Sequence, residues 1–145
     1  MRTSLQPGLT YSHSYEVPAS KTVPHLFPEA PEIASMPAVL ATPYMIAIIE
    51  WACTRCLNEH LDVGEGSLGV HVNVSHLAAT LPGQTVTVDV EVAKVEGPRV
   101  SFRVIAHDGI DKIGDGTHDR IVVPNERFKA RLNQKAVKVG GKPLE

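Results

Sequence analysis

Disulfide chemistry has little to work with here: among 145 residues the only cysteines are Cys53 and Cys56. They sit three positions apart in one apolar stretch and make a poor disulfide framework, which suits a reducing cytoplasm. Aromatic residues are scarce as well, at 5% with a single Trp. No apolar run approaches the roughly 20 residues needed to cross a bilayer, and Met1 to Ser14 lacks the apolar stretch of a secretory signal. A cytoplasmic location and no membrane partner are therefore expected. The net charge of -2 carries no bulk positive field to attract nucleic acid, so no such partner is expected either. What remains is an ordinary globular composition, 43% hydrophobic and 21% charged. Residues 1–145 are expected to form one domain, long enough to bury a core without staples.

The order of elements follows from periodicity. Tyr11 to Val17 reads as a first strand. Pro18, Pro24, Pro28, Pro31 and Pro37 then forbid regular structure. A loop of roughly 20 residues inside a compact domain points to a lid or binding loop. Val39 to Leu61 lacks glycine, and Tyr44, Ile48, Trp51, Ala52 and Arg55 fall at helical spacings, with Ile46, Ile49, Cys53 and Leu57 widening the apolar surface. This predicts one long, mostly buried helix, with Thr42 as N-cap and Pro43 at its first position. Beyond Gly69 the period changes to two. Val70, Val72 and Val74, then Val86 to Val92, then Val100, Phe102 and Val104 alternate with polar residues and predict half-buried strands. Pro82-Gly83, Gly97-Pro98 and Asp108-Gly109 supply the turns. A last strand is expected over about Ile113 to Val123, before a basic tail. The sum is an α+β layout with a helix lying on an antiparallel sheet, whose edges call for a second copy.

Several motifs dissolve on their context. Gly64-Glu65-Gly66-Ser67-Leu68-Gly69 fits G-x-G-x-x-G, yet it follows a helix and leads into a strand, the reverse of a dinucleotide site. It reads as a helix-to-strand turn at which Gly69 lets a ligand approach the backbone. Cys53-Thr54-Arg55-Cys56 with His60 offers three potential metal ligands, but inside a helix the cysteines read as small buried hydrophobes. Asp108, Asp111, Asp115 and Asp119 miss the calcium-loop spacing, so no metal is assigned. The tail holds Arg127, Lys129, Arg131, Lys135, Lys138 and Lys142, six of the 14 basic residues. It reads as a solvated face, with contact to nucleotide phosphates as the alternative.

Three residues invite chemistry. Glu50 stands in the centre of the most apolar helix, where an unpartnered polar group costs on the order of 2 to 7 kcal/mol, so something must face it. A structural pairing with an Arg or a backbone amide is the other reading. Thr42 lies eight residues earlier, about 80° around an ideal helix; the two border one pocket if the helix is continuous, and otherwise Thr42 is an ordinary N-cap. His76 follows in register with Val70, Val72 and Val74, and on pattern alone reads as a satisfied, half-buried histidine.

With these residues in view, the chain resembles the fluoroacetyl-CoA thioesterase family, a hot-dog group, over most of its length. The resemblance is carried by Lys21-Thr22-Val23, Ala41-Thr42, Glu50-Trp51-Ala52-Cys53, Gly64 to Gly69, His76, Val95-Glu96-Gly97, Ala106-His107-Asp108-Gly109 and Gly116-Thr117-His118. It implies a hot-dog fold, an antiparallel sheet wrapped around one long helix with a proline-rich lid, acting as a homodimer without a cofactor. It implies an acyl-CoA substrate, Thr42, Glu50 and His76 as catalytic residues, and Gly69 and Arg120 as substrate contacts, the first by backbone and the second by its fork of donors. The lid residues Ile33 and Met36 are expected to border the acyl group, where the fluoroacetyl-specific member has phenylalanines, so the resemblance leaves fluorine selectivity open. Pro43 is a second departure.

For hydrolysis, Glu50 either attacks the carbonyl to form an anhydride or activates water, His76 handles the proton, and Thr42 orients Glu50 or donates to the oxyanion. Two rivals share the scaffold: a hydratase or dehydratase of acyl thioesters, and a non-catalytic acyl-CoA-binding protein.

Overall fold

The structure is a computed structural model that describes residues 1–144. Strand β1 (Thr10–Glu16) is followed by two 3-10 turns and the short helix α1 (Pro31–Ala34). The long helix α2 (Thr42–Asn58) comes next, then β2 (Glu65–His76), β3 (Thr85–Glu96), β4 (Arg99–His107), β5 (Lys112–Pro124) and a terminal helix α3 (Asn125–Lys138). The five strands form one sheet in the order β1-β3-β4-β5-β2, and every neighbouring pair is antiparallel. α2 lies against this sheet, the α+β hot-dog arrangement that the pattern predicts.

The core sits between α2 and the inward rows of the strands. Val86, Val88, Val90 and Val92 on β3, and Val100, Phe102, Val104 and Ala106 on β4, are all buried. From the helix they meet Met45, Ile48, Ile49, Ala52, Cys53, Cys56 and Leu57. That stripe recurs every three to four residues, but it is turned relative to the expected one. Met45 and Cys56 join it, whereas Trp51 lies on the flank, edge-on to His13 and Tyr15, with Arg55 over its ring. The close-packed interior is assembled mostly from aliphatic side chains with Phe102 among them, and the one Trp lies at its margin, 41% exposed.

Close approach of β5 to β2 depends on Gly116, whose φ of 149° puts it in a region that favours glycine, and a Cβ there would collide with the Asn73 carbonyl. β2 begins at Glu65, so the glycine-rich run is mostly strand and not the expected turn. Val70 is 49% exposed and Val72 37% exposed. The alternation in β2 therefore does not bury one face within a single chain, because β2 is the last strand of the sheet and only Val74 packs on the core.

The proline-rich segment is tied at both ends. Val23 N–H donates to the Val39 carbonyl, Ala41 N–H to that of Lys21, and Leu40 N–H to that of Thr80. Its tip, around α1, stays at the surface.

The turn between β4 and β5 is held by Asp108, which is buried and accepts from the amides of Ile110 and Asp111 and from the Thr80 hydroxyl. Burial pushes its carboxyl up, but these donors together hold it below the usual aspartate range. A carboxyl lowered in the fold contributes stability above the unfolded aspartate value of about 3.9, and that stability is lost as pH falls through the folded value. Asp108→Ala is expected to destabilise the protein by about 2 kcal/mol at pH 7, through unsatisfied donors. Chemical denaturation at a series of pH values should show this difference shrinking below pH of about 4.

Candidate active site

The first helical position of α2 is Thr42 itself; Ala41 is the N-cap and no side chain caps the helix. The expected capping role of Thr42 is thus not observed, since Ala41 is the half-in residue and Pro43 falls second. Freed from capping, the Thr42 hydroxyl lies 2.7 Å from His76 Nδ1 at the end of β2. His76 is more than a satisfied histidine, because its Nε2 is buried and has no hydrogen-bond partner among the described residues. Thr42 and His76 open onto a cleft of ≈ 410 Å³ lined also by Val23, Val39, Leu40, Leu77 and Ala78. The lid residues are not part of it: Ile33 is half-buried and Met36 exposed, and neither lines this cleft.

A second cluster forms two turns along the helix. Glu50 is half-buried, where the apolar helix had suggested full desolvation, and its Oε2 lies 3.9 Å from Arg120 Nη1. That distance is an ion pair without a hydrogen bond. Arg120 faces inward from β5 and is only 7% exposed. Its Nε donates to Ser67 Oγ at 2.9 Å, Nη2 to the Ser67 carbonyl at 3.0 Å, and Nη1 to His118 Nε2 at 3.2 Å. A guanidinium has five donors, so two remain for whatever occupies the space beside Glu50. Burial pulls the Arg120 guanidinium down and Glu50 opposes this, but an arginine stays charged.

Gly69 closes the cluster. The β2–β5 register shifts between Gly69 and His71, leaving Val70 as a bulge. A Cβ on Gly69 would stand 3.1 Å from Glu50 Oε1, 3.2 Å from His118 Cε1 and 3.3 Å from Arg120 Nη1. Glycine at this position therefore lets a carboxylate, a fixed cation and a neutral ring approach the strand more closely than a side chain would allow. A carbonyl approaching Glu50 and Arg120 would meet a nucleophile or base together with charge-stabilising donors.

Within one chain the two clusters do not meet. Thr42 and Glu50 lie on one continuous helix but eight residues apart, about 12 Å along its axis. Their partners His76 and Gly69 are correspondingly separated along β2. The pocket expected to be bordered by both Thr42 and Glu50 is thus absent from the single chain.

Two members of the Glu50 cluster, Ser67 and His118, were not singled out from the sequence. The available signal was the inward row of β5, where His118 and Arg120 alternate with exposed or half-buried residues ahead of Val122. The cysteines lie behind: burial pushes the Cys53 thiol far up and the Cys56 thiol up to about 11, so both pack as thiols. His60 bonds Ser4 Oγ through Nδ1 at 2.7 Å.

Comparison with known proteins follows the same lines. Residues 24–126 match the family described as fluoroacetyl-CoA-specific thioesterase. A fluoroacetyl-CoA thioesterase of Streptantibioticus cattleyicolor is 50% identical over 135 residues, 93% of this chain and 97% of that protein. A threonine-to-serine variant of a fluoroacetyl-CoA thioesterase, solved with acetyl-CoA, is 50% identical, with a TM-score of 0.88 over 90% of this chain and 98% of that one. A hypothetical protein of Thermus thermophilus, a thioesterase superfamily member, is 28% identical, with a TM-score of 0.86 over 97% of this chain and 98% of that one.

Proposed function

The chain belongs to the fluoroacetyl-CoA-specific thioesterase family, and from that premise we propose that it hydrolyses a small acyl-CoA to the free acid and coenzyme A, as one catalytic domain spanning residues 1–145. The observation that carries this reading is the close approach of the Glu50 carboxylate and the Arg120 guanidinium to each other and to the side-chain face of Gly69. Glu50 is the nucleophile or general base toward the thioester carbon. Arg120 and the Gly69 backbone face the acyl oxygen, where negative charge develops. His76, held by Thr42, returns a proton to the departing thiolate. The other readings lack comparable support, since the geometry joins a carboxylate to charge-stabilising donors without favouring addition across a double bond.

The two clusters act together when two copies pair. β2 is the open edge of the sheet and carries the exposed Val70 and Val72; edges of this kind are normally covered. An antiparallel twofold between Val72 and Asn73 sets His76 of one copy level with Gly69 of the other. Each acyl site of this homodimer then takes Thr42 and His76 from one copy, and Glu50, Gly69 and Arg120 from the other. The lids contribute Ile33 and Met36 to the acyl pocket once the dimer closes over it. A cytoplasmic location accords with two buried thiols, and no helix among the described residues is long and apolar enough to cross a membrane.

The decisive test is a thiol-release assay across acetyl-, fluoroacetyl-, propionyl-, longer-chain and aryl-CoA. Release of one thiol per acyl-CoA, fastest on the smallest acyl groups, is expected. Change in the acyl chain with the thioester intact would identify a hydratase, and binding without turnover an acyl-CoA-binding protein.

A further inference from the structure

His118 is fully buried on β5 and has no role in the chemistry above, yet both of its ring nitrogens are engaged. Nδ1 lies 2.8 Å from the His71 carbonyl, which can only accept, so Nδ1 carries the proton. Nε2 is then the bare nitrogen, and it accepts from Arg120 Nη1, which can only donate. One neutral ring thus holds the carbonyl of the bulged segment of β2 on one side and the guanidinium on the other. Burial keeps this imidazole below its ordinary range, although the His71 carbonyl opposes that shift. Its Cε1 also floors the space beneath Gly69.

Resting on the thioesterase reading of this site, we propose that His118 is a positioning residue: its bare Nε2 holds Arg120 away from a hydrogen-bonded pair with Glu50, leaving Glu50 free to react. Without the Nε2 acceptor, Nη1 loses the contact that draws it toward His118, 3.9 Å from Glu50 Oε2, and only the two bonds to Ser67 still hold the guanidinium. A carboxylate hydrogen-bonded to arginine is a weaker base and nucleophile.

Two substitutions separate the two contacts. In His118→Asn the side-chain amide nitrogen takes the place of Nδ1 and keeps the bond to His71, but the acceptor for Arg120 is lost. In His118→Gln the side-chain oxygen takes the place of Nε2 and keeps that acceptor. His118→Asn is expected to lower kcat for acetyl-CoA roughly tenfold or more with KM changed less than about twofold, whereas His118→Gln stays within about threefold of wild type. A purely structural role would lower Tm in both variants and leave the kcat of the folded protein unchanged, which would overturn the proposal. The Arg120 Nη1–H resonance, from the proton donated to His118 Nε2, supplies a readout independent of turnover: it should be protected in wild type and His118→Gln and exchange-broadened in His118→Asn. Should wild type release no thiol from any acyl-CoA, the functional reading falls while this resonance still judges the positioning role. If neither variant folds, long-range nitrogen–proton spectra of the wild-type imidazole decide at neutral pH. A neutral ring protonated on Nδ1 supports the assignment, and one protonated on Nε2 or on both nitrogens refutes it.

Discussion

Glu50→Gln is expected to lower thiol release by about a thousandfold or more while shifting Tm by no more than about 2 °C. The small structural effect follows from where the carboxylate stands. Its side chain is 42% exposed, its nearest cation is 3.9 Å away, and no hydrogen bond reaches its oxygens among the described residues. A pair of that kind contributes on the order of 0 to 1 kcal/mol, and glutamine keeps the shape. The large catalytic effect follows from chemistry. A general base contributes about a hundredfold to ten-thousandfold, and loss of a nucleophile removes the covalent route altogether. An amide performs neither task near neutral pH. Thiol release and thermal denaturation on the same preparation check both halves, and a folded Gln variant within tenfold of wild type would remove Glu50 from the mechanism.

The fold was legible wherever burial is decided inside one chain. β3 and β4 are flanked by paired strands and covered by α2, so their period-two valines face the core as the pattern predicts. The helix was legible as an element but less so in its facing. Helical spacing puts Trp51 on the apolar stripe, yet the buried stripe runs through Met45, Ile48, Ile49, Ala52, Cys53, Cys56 and Leu57. β2 was misread for a different reason. Its valines alternate as cleanly as those of β3, but sequence periodicity does not say whether the surface that covers a strand belongs to the same chain.

The site divided along the same line. Glu50 was visible because a carboxylate in an apolar helix is costly. Gly69 and His76 were visible as residues but, like Arg120, took their roles from family resemblance, and the geometry gives each a physical setting: a glycine crowded by Glu50 and Arg120, a ring held by Thr42, and a fork held by Ser67. His118 escaped notice because a histidine on a strand has no helical or turn signature, and its engagement depends on a carbonyl 47 positions away. Ile33 and Met36 sit outside the Thr42–His76 cleft of the single chain.

A composite site makes a prediction that a single-chain site does not share. His76→Ala and Glu50→Gln should each be inactive alone, yet co-expression of the two should restore about one quarter of wild-type thiol release. Random pairing makes half of the dimers mixed. Each mixed dimer holds one site with Thr42 and His76 from the Glu50→Gln copy and Glu50 from the His76→Ala copy, so one of its two sites is intact. The other site lacks both groups. Thr42→Ala mixed with His76→Ala provides the control: both changes fall in the same half, every site carries one of them, and no activity should return. The roughly 12 Å of helix between Thr42 and Glu50 is the physical basis for this asymmetry. If the site were completed within one chain, neither mixture would recover activity, and the assignment of the two halves to different copies would be wrong.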